Sequence, residues 1–215
     1  MRHECGGYIT LPAIMSNWEK LNEELKQAGV PQRTFMNEPM EPVDTLVNTD
    51  ISSKPFNNIL LNYLSKLSGN ECEMVVRALT EKSNKEISSE LIPLFDRTDL
   101  SEGNLWAVGH ALNIIKDKSR INEYIRICKN SELGAARSEI IRFLGSIRTP
   151  DIYDLLTELL NDLTIRFAVI EALGRMNNSE AVELLNSLEL EPKSVENRNR
   201  TTALKRLQRA PAKRR

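Results

Sequence analysis

The chain has 215 residues, enough to bury a sizeable core as one compact domain or as a short array of repeats. Aromatic residues are scarce at 5%, while charged residues reach 27% and Leu, Ile, Ala, Glu, Lys and Arg dominate, a balance that favours helix over strand. The net charge of −1 conceals an asymmetry: Lys193 to Arg215 holds nine basic residues and one acid, a net +8, which leaves −9 on the rest.

In chain order, residues 1–14 show no periodicity and read as an unstructured extension, with Met15 as the expected natural start. Ser16 and Glu19 form a capping-box pattern, and Trp18, Leu21 and Leu25 share one face of a helix over 15–29 that Gly29 and Pro31 end. Residues 30–55 hold Pro31, Pro39, Pro42 and Pro55 among Glu38, Glu41, Asp44 and Asp50. Four prolines exclude a long helix, so the stretch reads as an acidic, extended linker that Phe35, Met36, Leu46 and Val47 could anchor. Disorder is the alternative reading of the same stretch.

From Phe56 the pattern becomes helix, short turn, helix. The expected pairs are 56–67 with 71–82, 86–97 with 102–117, 119–129 with 133–147, 151–160 with 163–176, and 179–188 with 194–209. Their second helices align on Leu79, Leu112, Leu144, Leu173 and Leu204, which are 33, 32, 29 and 31 residues apart. A near-constant period of this size marks a repeat architecture, in which each helical pair must stack on its neighbours to bury its apolar face. Small residues at Ala107, Ala111, Ala168, Ala172 and Ala203 let paired helices approach closely. The expected fold is all-α: an α-α superhelix (solenoid) of about five pairs over 56–209, preceded by the N-terminal helix and linker and followed by a basic tail at 210–215.

The run from Ile165 to Met176, with Arg166, Ala168, Ala172, Leu173 and Gly174, resembles the second helix of a HEAT repeat in the short bacterial form of the phycobilisome-lyase type. Arg137, Leu144 and Gly145 repeat the pattern, whereas Leu105, Asn197 and Cys72 stand where the other repeats would carry the Arg. The resemblance covers 86–209 well and 56–85 weakly. It implies the fold and says little about function, and it implies an acid of the intra-repeat turn paired to the Arg: Asp162 with Arg166 and Glu132 with Arg137.

Reactive chemistry finds no pattern. The sequence holds no nucleotide loop, HExxH, nucleophile elbow or CxxC. His3 and Cys5 would be two ligands of an incomplete metal site. Cys72 and Cys128 read as buried, inert thiols, and three widely spaced cysteines point to a reducing compartment. No apolar run approaches the roughly 20 residues that span a bilayer. We therefore expect a cytoplasmic, non-catalytic protein with no cofactor and no metal.

HEAT-type solenoids usually line their concave side with second helices. Counting six before, two before and two after each reference Leu gives one face. That column is Glu73, Arg77 and Glu81; Trp106, His110 and Ile114; Ser138, Arg142 and Ser146; Phe167, Glu171 and Arg175; Arg198, Thr202 and Arg206. Trp and Arg are enriched at interface hot spots, so the expected partner-binding residues are Trp106, His110, Arg142, Glu171, Arg175 and Arg206. Packing between repeats is the other reading of Trp106 and Phe167. The expected partner is another protein, in an inhibitor, immunity-type or assembly-adaptor role. Nucleic acid bound by the basic last repeat is the alternative; the same charges also suit a polar terminal cap. A tetrapyrrole-lyase-like enzyme is suggested by family analogy alone.

Overall fold

The structure, a computed structural model, describes residues 14–209. His3, Cys5, the expected extension over 1–14 apart from Ile14, and the basic tail over 210–215 lie outside the described residues.

The N-terminal helix α1 (Asn17–Gln27) opens on the capping box: Glu19 N–H donates to the Ser16 hydroxyl and the Ser16 N–H donates to the Glu19 carboxylate. Leu21 and Leu25 are buried, and Gly29 ends the helix at φ +93. Two short strands follow, β1 (Thr34–Phe35) and β2 (Glu38–Pro39), paired antiparallel. Met36 and Asn37, both at positive φ, form their two-residue turn.

The expected linker contains a further helix, α2 (Pro42–Asn48). Pro42 stands in its first turn, where a missing N–H costs nothing, so the prolines that forbid a long helix permit this short one. Val43, Thr45 and Leu46 are buried. Asn22 ties α2 to α1 by accepting from the Val43 N–H (3.1 Å), while Trp18 Nε1 donates to Glu41 (2.7 Å). Of the expected anchors, Leu46 is buried and Val47 half-buried, but Phe35 and Met36 are 66% and 82% exposed at the hairpin. The extended reading of 30–55 is thus corrected over α2.

The remaining helices alternate as the period predicts. They are α3 (Asn57–Leu64), α4 (Gly69–Leu79), α5 (Ser88–Leu91), α6 (Glu102–Ile115), α7 (Ile121–Lys129), α8 (Ser138–Leu144), α9 (Pro150–Leu159), α10 (Arg166–Leu173), α11 (Glu180–Asn186) and α12 (Val195–Arg209). Nearly all are shorter than the pattern suggests, α5 and α8 most of all. Pro93 lacks an N–H and crowds the carbonyl four residues back, so α5 gives way to a 3-10 segment, Ile92–Asp96. Gly134, at φ 52 and ψ −136, kinks the 3-10 approach to α8.

Each odd-numbered helix packs on the even-numbered helix that follows it. The pair α1–α2 joins the same stack, so the described residues form six pairs, with the N-terminal helix and the middle of the expected linker making the first. The even-numbered helices touch one another in unbroken order from α2 to α12, whereas beyond α3 successive odd-numbered helices stand further apart. A stack that is tighter on one side bends toward that side, so the even helices form the inner layer. Small residues set the spacing. A Cβ on Gly145 would lie 2.6 Å from Ala172 Cα, and one on Gly174 would lie 2.5 Å from Ala203 Cβ. Leu79, Leu112, Leu144 and Leu173, which define the period, are fully buried; Leu204 is only partly covered.

A candidate protein-binding face

The inner layer presents successive turns of α6, α8, α10 and α12. On α6, Trp106 and His110 are four residues apart, and their rings stack with centroids 5.4 Å apart and planes 8° from parallel. Trp106 is 37% exposed, which makes it an accessible surface residue rather than one enclosed between repeats. His110 Nδ1 lies 3.7 Å from a carboxylate oxygen of Glu139 on α8. The same oxygen accepts a 2.8 Å hydrogen bond from Asn113.

Glu139 is the first member of a charge ladder. It is buried and pairs with Arg142, one turn later on α8. Arg142 Nε donates to Glu171 on α10 at 2.9 Å, and its guanidinium lies 5.3 Å from the centre of the Phe167 ring. Arg175 pairs with the other Glu171 oxygen and donates to the Arg142 carbonyl at 3.1 Å. Burial raises the Glu171 carboxyl, but the Arg142 hydrogen bond and the charges of Arg175, Arg142 and Arg206 outweigh it and hold the group below the usual carboxylate range.

Five of the six expected residues therefore stand together: Trp106, His110, Arg142, Glu171 and Arg175 form one connected strip across three inner helices. Arg206 extends it to α12 through its charge on Glu171. The sequence reading missed Glu139, which links the aromatic pair to the arginines. Its register, directly after Ser138 of the column, placed it off the face, and only the approach of α6 to α8 brings it in. Arg142 and Arg175 serve partly to hold neighbouring inner helices together.

The turns between paired helices use arginine differently. Arg137 is buried and donates to the Cys128 carbonyl (2.9 Å), the Gly134 carbonyl (2.9 Å) and Asp162 (2.5 Å). Its acid belongs to the next repeat, so the expected pairing of Glu132 with Arg137 is corrected to Arg137 with Asp162. Arg166 likewise donates to the Leu160 carbonyl rather than pairing with Asp162. In the first of the expected repeats, where Cys72 replaces the Arg, Arg97 reaches back from the following repeat to the carbonyls of Leu64 and Leu67, both at 2.7 Å. The exposed carbonyls at a helix C-terminus need a donor, and a fork of N–H groups supplies several at once.

Cys72 and Cys128 are free and buried, and burial pushes both thiols up, Cys72 against the opposing charge of Arg97. Among the described residues no three His, Cys, Asp or Glu side chains converge as metal ligands, and no helix is long and apolar enough to cross a membrane.

Residues 121–205 match the family of HEAT repeats. The match specifies the repeat and does not reach the phycobilisome-lyase type. No curated protein matches the chain. The matched segment runs from the start of α7 into α12, so this part of the chain is built of HEAT repeats, and the helical pairs before it stack in the same order.

Proposed function

We propose that this protein is a non-catalytic scaffold that binds another protein on its inner face, in an inhibitor, immunity-type or assembly-adaptor role in the cytoplasm. The observation that carries the reading is the exposed Trp106–His110 stack set beside the ladder of Glu139, Arg142, Glu171 and Arg175. An accessible aromatic next to fixed arginines has the composition of an interface hot spot. The ladder also fixes those arginines before a partner arrives, which lowers the ordering cost of binding.

Trp106→Ala is the sharpest test. It should weaken capture of the native partner by about 2 kcal/mol or more, roughly thirtyfold, while helicity and melting temperature stay nearly unchanged. Leu173→Ala, which removes a fully buried side chain, should instead cost about 2–5 kcal/mol of folding stability. Affinity purification from the native host, paired with thermal melts of both variants, reads the two effects. Should Trp106→Ala melt as early as Leu173→Ala, Trp106 is a packing residue and the reading fails.

A further inference from the structure

The last inner helix carries cations that make none of the ladder's ion pairs. At 100° per residue, Arg198, Thr202, Lys205, Arg206 and Arg209 fall in a stripe about 100° wide on α12, on the side away from buried Ala203 and Leu207. All five are exposed, and none of the four cations has an ion pair among the described residues. Neighbouring contacts orient this stripe. Ala203 faces Gly174 of α10, and Asn199 donates to the Phe167 carbonyl (3.1 Å), so the Arg206 edge of the stripe continues the face that holds Phe167 and Glu171. On the opposite side of α12, Arg200 is occupied with the Leu188 carbonyl at 2.7 Å.

The inner face is therefore graded. At α6 it offers an aromatic shelf. Across α8 and α10 each carboxylate is already paired with arginine. At α12 it offers free positive charge.

We infer that the partner enters this face through an acidic protein segment, with its carboxylates on the α12 stripe and an apolar side chain of the same segment on the Trp106–His110 stack. This rests on the inner face being the protein-binding face. Packed helices stand about 8–10 Å apart, so the three steps from α6 to α12 span roughly 24–30 Å. That is about 16–20 residues of helix, or about seven to nine residues of extended chain. A nucleic acid fits the gradient less well. Its charge is uniform along its length, whereas the cations here are confined to one end and the chain outside 193–215 carries −9.

The test uses the full-length chain and labelled synthetic 20-residue helical peptides. One has four glutamates at one end and a phenylalanine at the other, a second has glutamine for glutamate, and a third has alanine for phenylalanine. A 20-nucleotide single strand and a 20-base-pair duplex complete the set. The acidic peptide should bind at least tenfold more tightly than the glutamine peptide, with affinity that falls as salt rises. Arg198→Glu/Arg206→Glu/Arg209→Glu should abolish that preference, and the milder triple change to Gln should reduce it; circular dichroism checks that both remain helical. Trp106→Ala should weaken the peptide with phenylalanine and leave the one with alanine unchanged. Tighter binding of either nucleic acid than of the acidic peptide overturns the inference, as does an acidic peptide that fails to bind at low salt or binds the charge-reversed chain equally well. If the charge-reversed chain still captures the native partner and Trp106→Ala does not, the acidic segment is wrong while the inner-face reading stands.

Discussion

At the scale of single residues, arginine does more to hold this molecule together than its count suggests. The Arg137 side chain is 2% exposed, yet it closes the turn after α7 and joins that repeat to the next through Asp162. Arg137→Ala strands two carbonyls and a carboxylate, so it should cost about 3–5 kcal/mol in urea denaturation. Arg137→Lys should recover little of this, because one ammonium cannot reproduce the planar fork. The ladder makes a separate prediction about pH. For Glu171 and Asp162, burial raises the carboxyl, but the arginine hydrogen bonds and charges more than offset it, and both sit below their ordinary values of 4.5 and 3.8. Their contribution to stability is therefore complete above about pH 5 and is lost as pH falls through those values toward the lower folded-state ones. Urea midpoints measured from pH 7 down to pH 3 should fall across that window, and Glu171→Gln should shrink the fall.

At the scale of elements, the closeness of the inner helices comes from missing side-chain atoms. Gly174 admits α12 to within contact of α10, and Gly145 admits α10 to α8 in the same way. A methyl on Gly174 would meet the Cα and Cβ of Ala203 at 2.6 and 2.5 Å, backbone-anchored atoms that cannot swing aside. Gly174→Ala should destabilise by about 1–3 kcal/mol, read from chemical denaturation. Adding Ala203→Gly should restore only part of the loss, since the Cα clash remains. The same spacing keeps Arg142 within reach of Glu171 across the α8–α10 boundary.

At the scale of the whole molecule, stability in a stacked array is shared between neighbours, so an end pair matters to the pair beneath it. The α1–α2 pair buries Leu21, Leu25, Val43 and Leu46 and covers both α3 and α4. A chain that starts at Ile51 should therefore lose more than its own helices. Its melting temperature should drop by roughly 2–4 °C for each kcal/mol of lost packing, and calorimetry of the two chains measures the difference. An unchanged melting temperature would mean that α1–α2 is an appendage and not the first layer of the stack.

Much of this was legible in the residues. The buried leucines Leu79, Leu112, Leu144 and Leu173, the Ser16–Glu19 cap and the positions of Trp106, His110, Arg142, Glu171 and Arg175 on their helices follow from spacing along a helix, where neighbours three and four apart must meet. Pro93 is equally visible in the sequence, and it ends α5 inside the stretch 86–97 that the repeat period marks as one helix. The two-turn α2 carries too few apolar positions to show a period, so among four prolines it read as linker. What the sequence by itself determined is thus the helical repeat and the face each helix turns outward, because both depend on local geometry. Only the tertiary structure decided that Arg137 meets Asp162, that buried Glu139 joins the strip, and that α1 and α2 form a sixth pair. Those contacts depend on how far apart and at what rotation separate helices settle, which their inter-repeat packing sets.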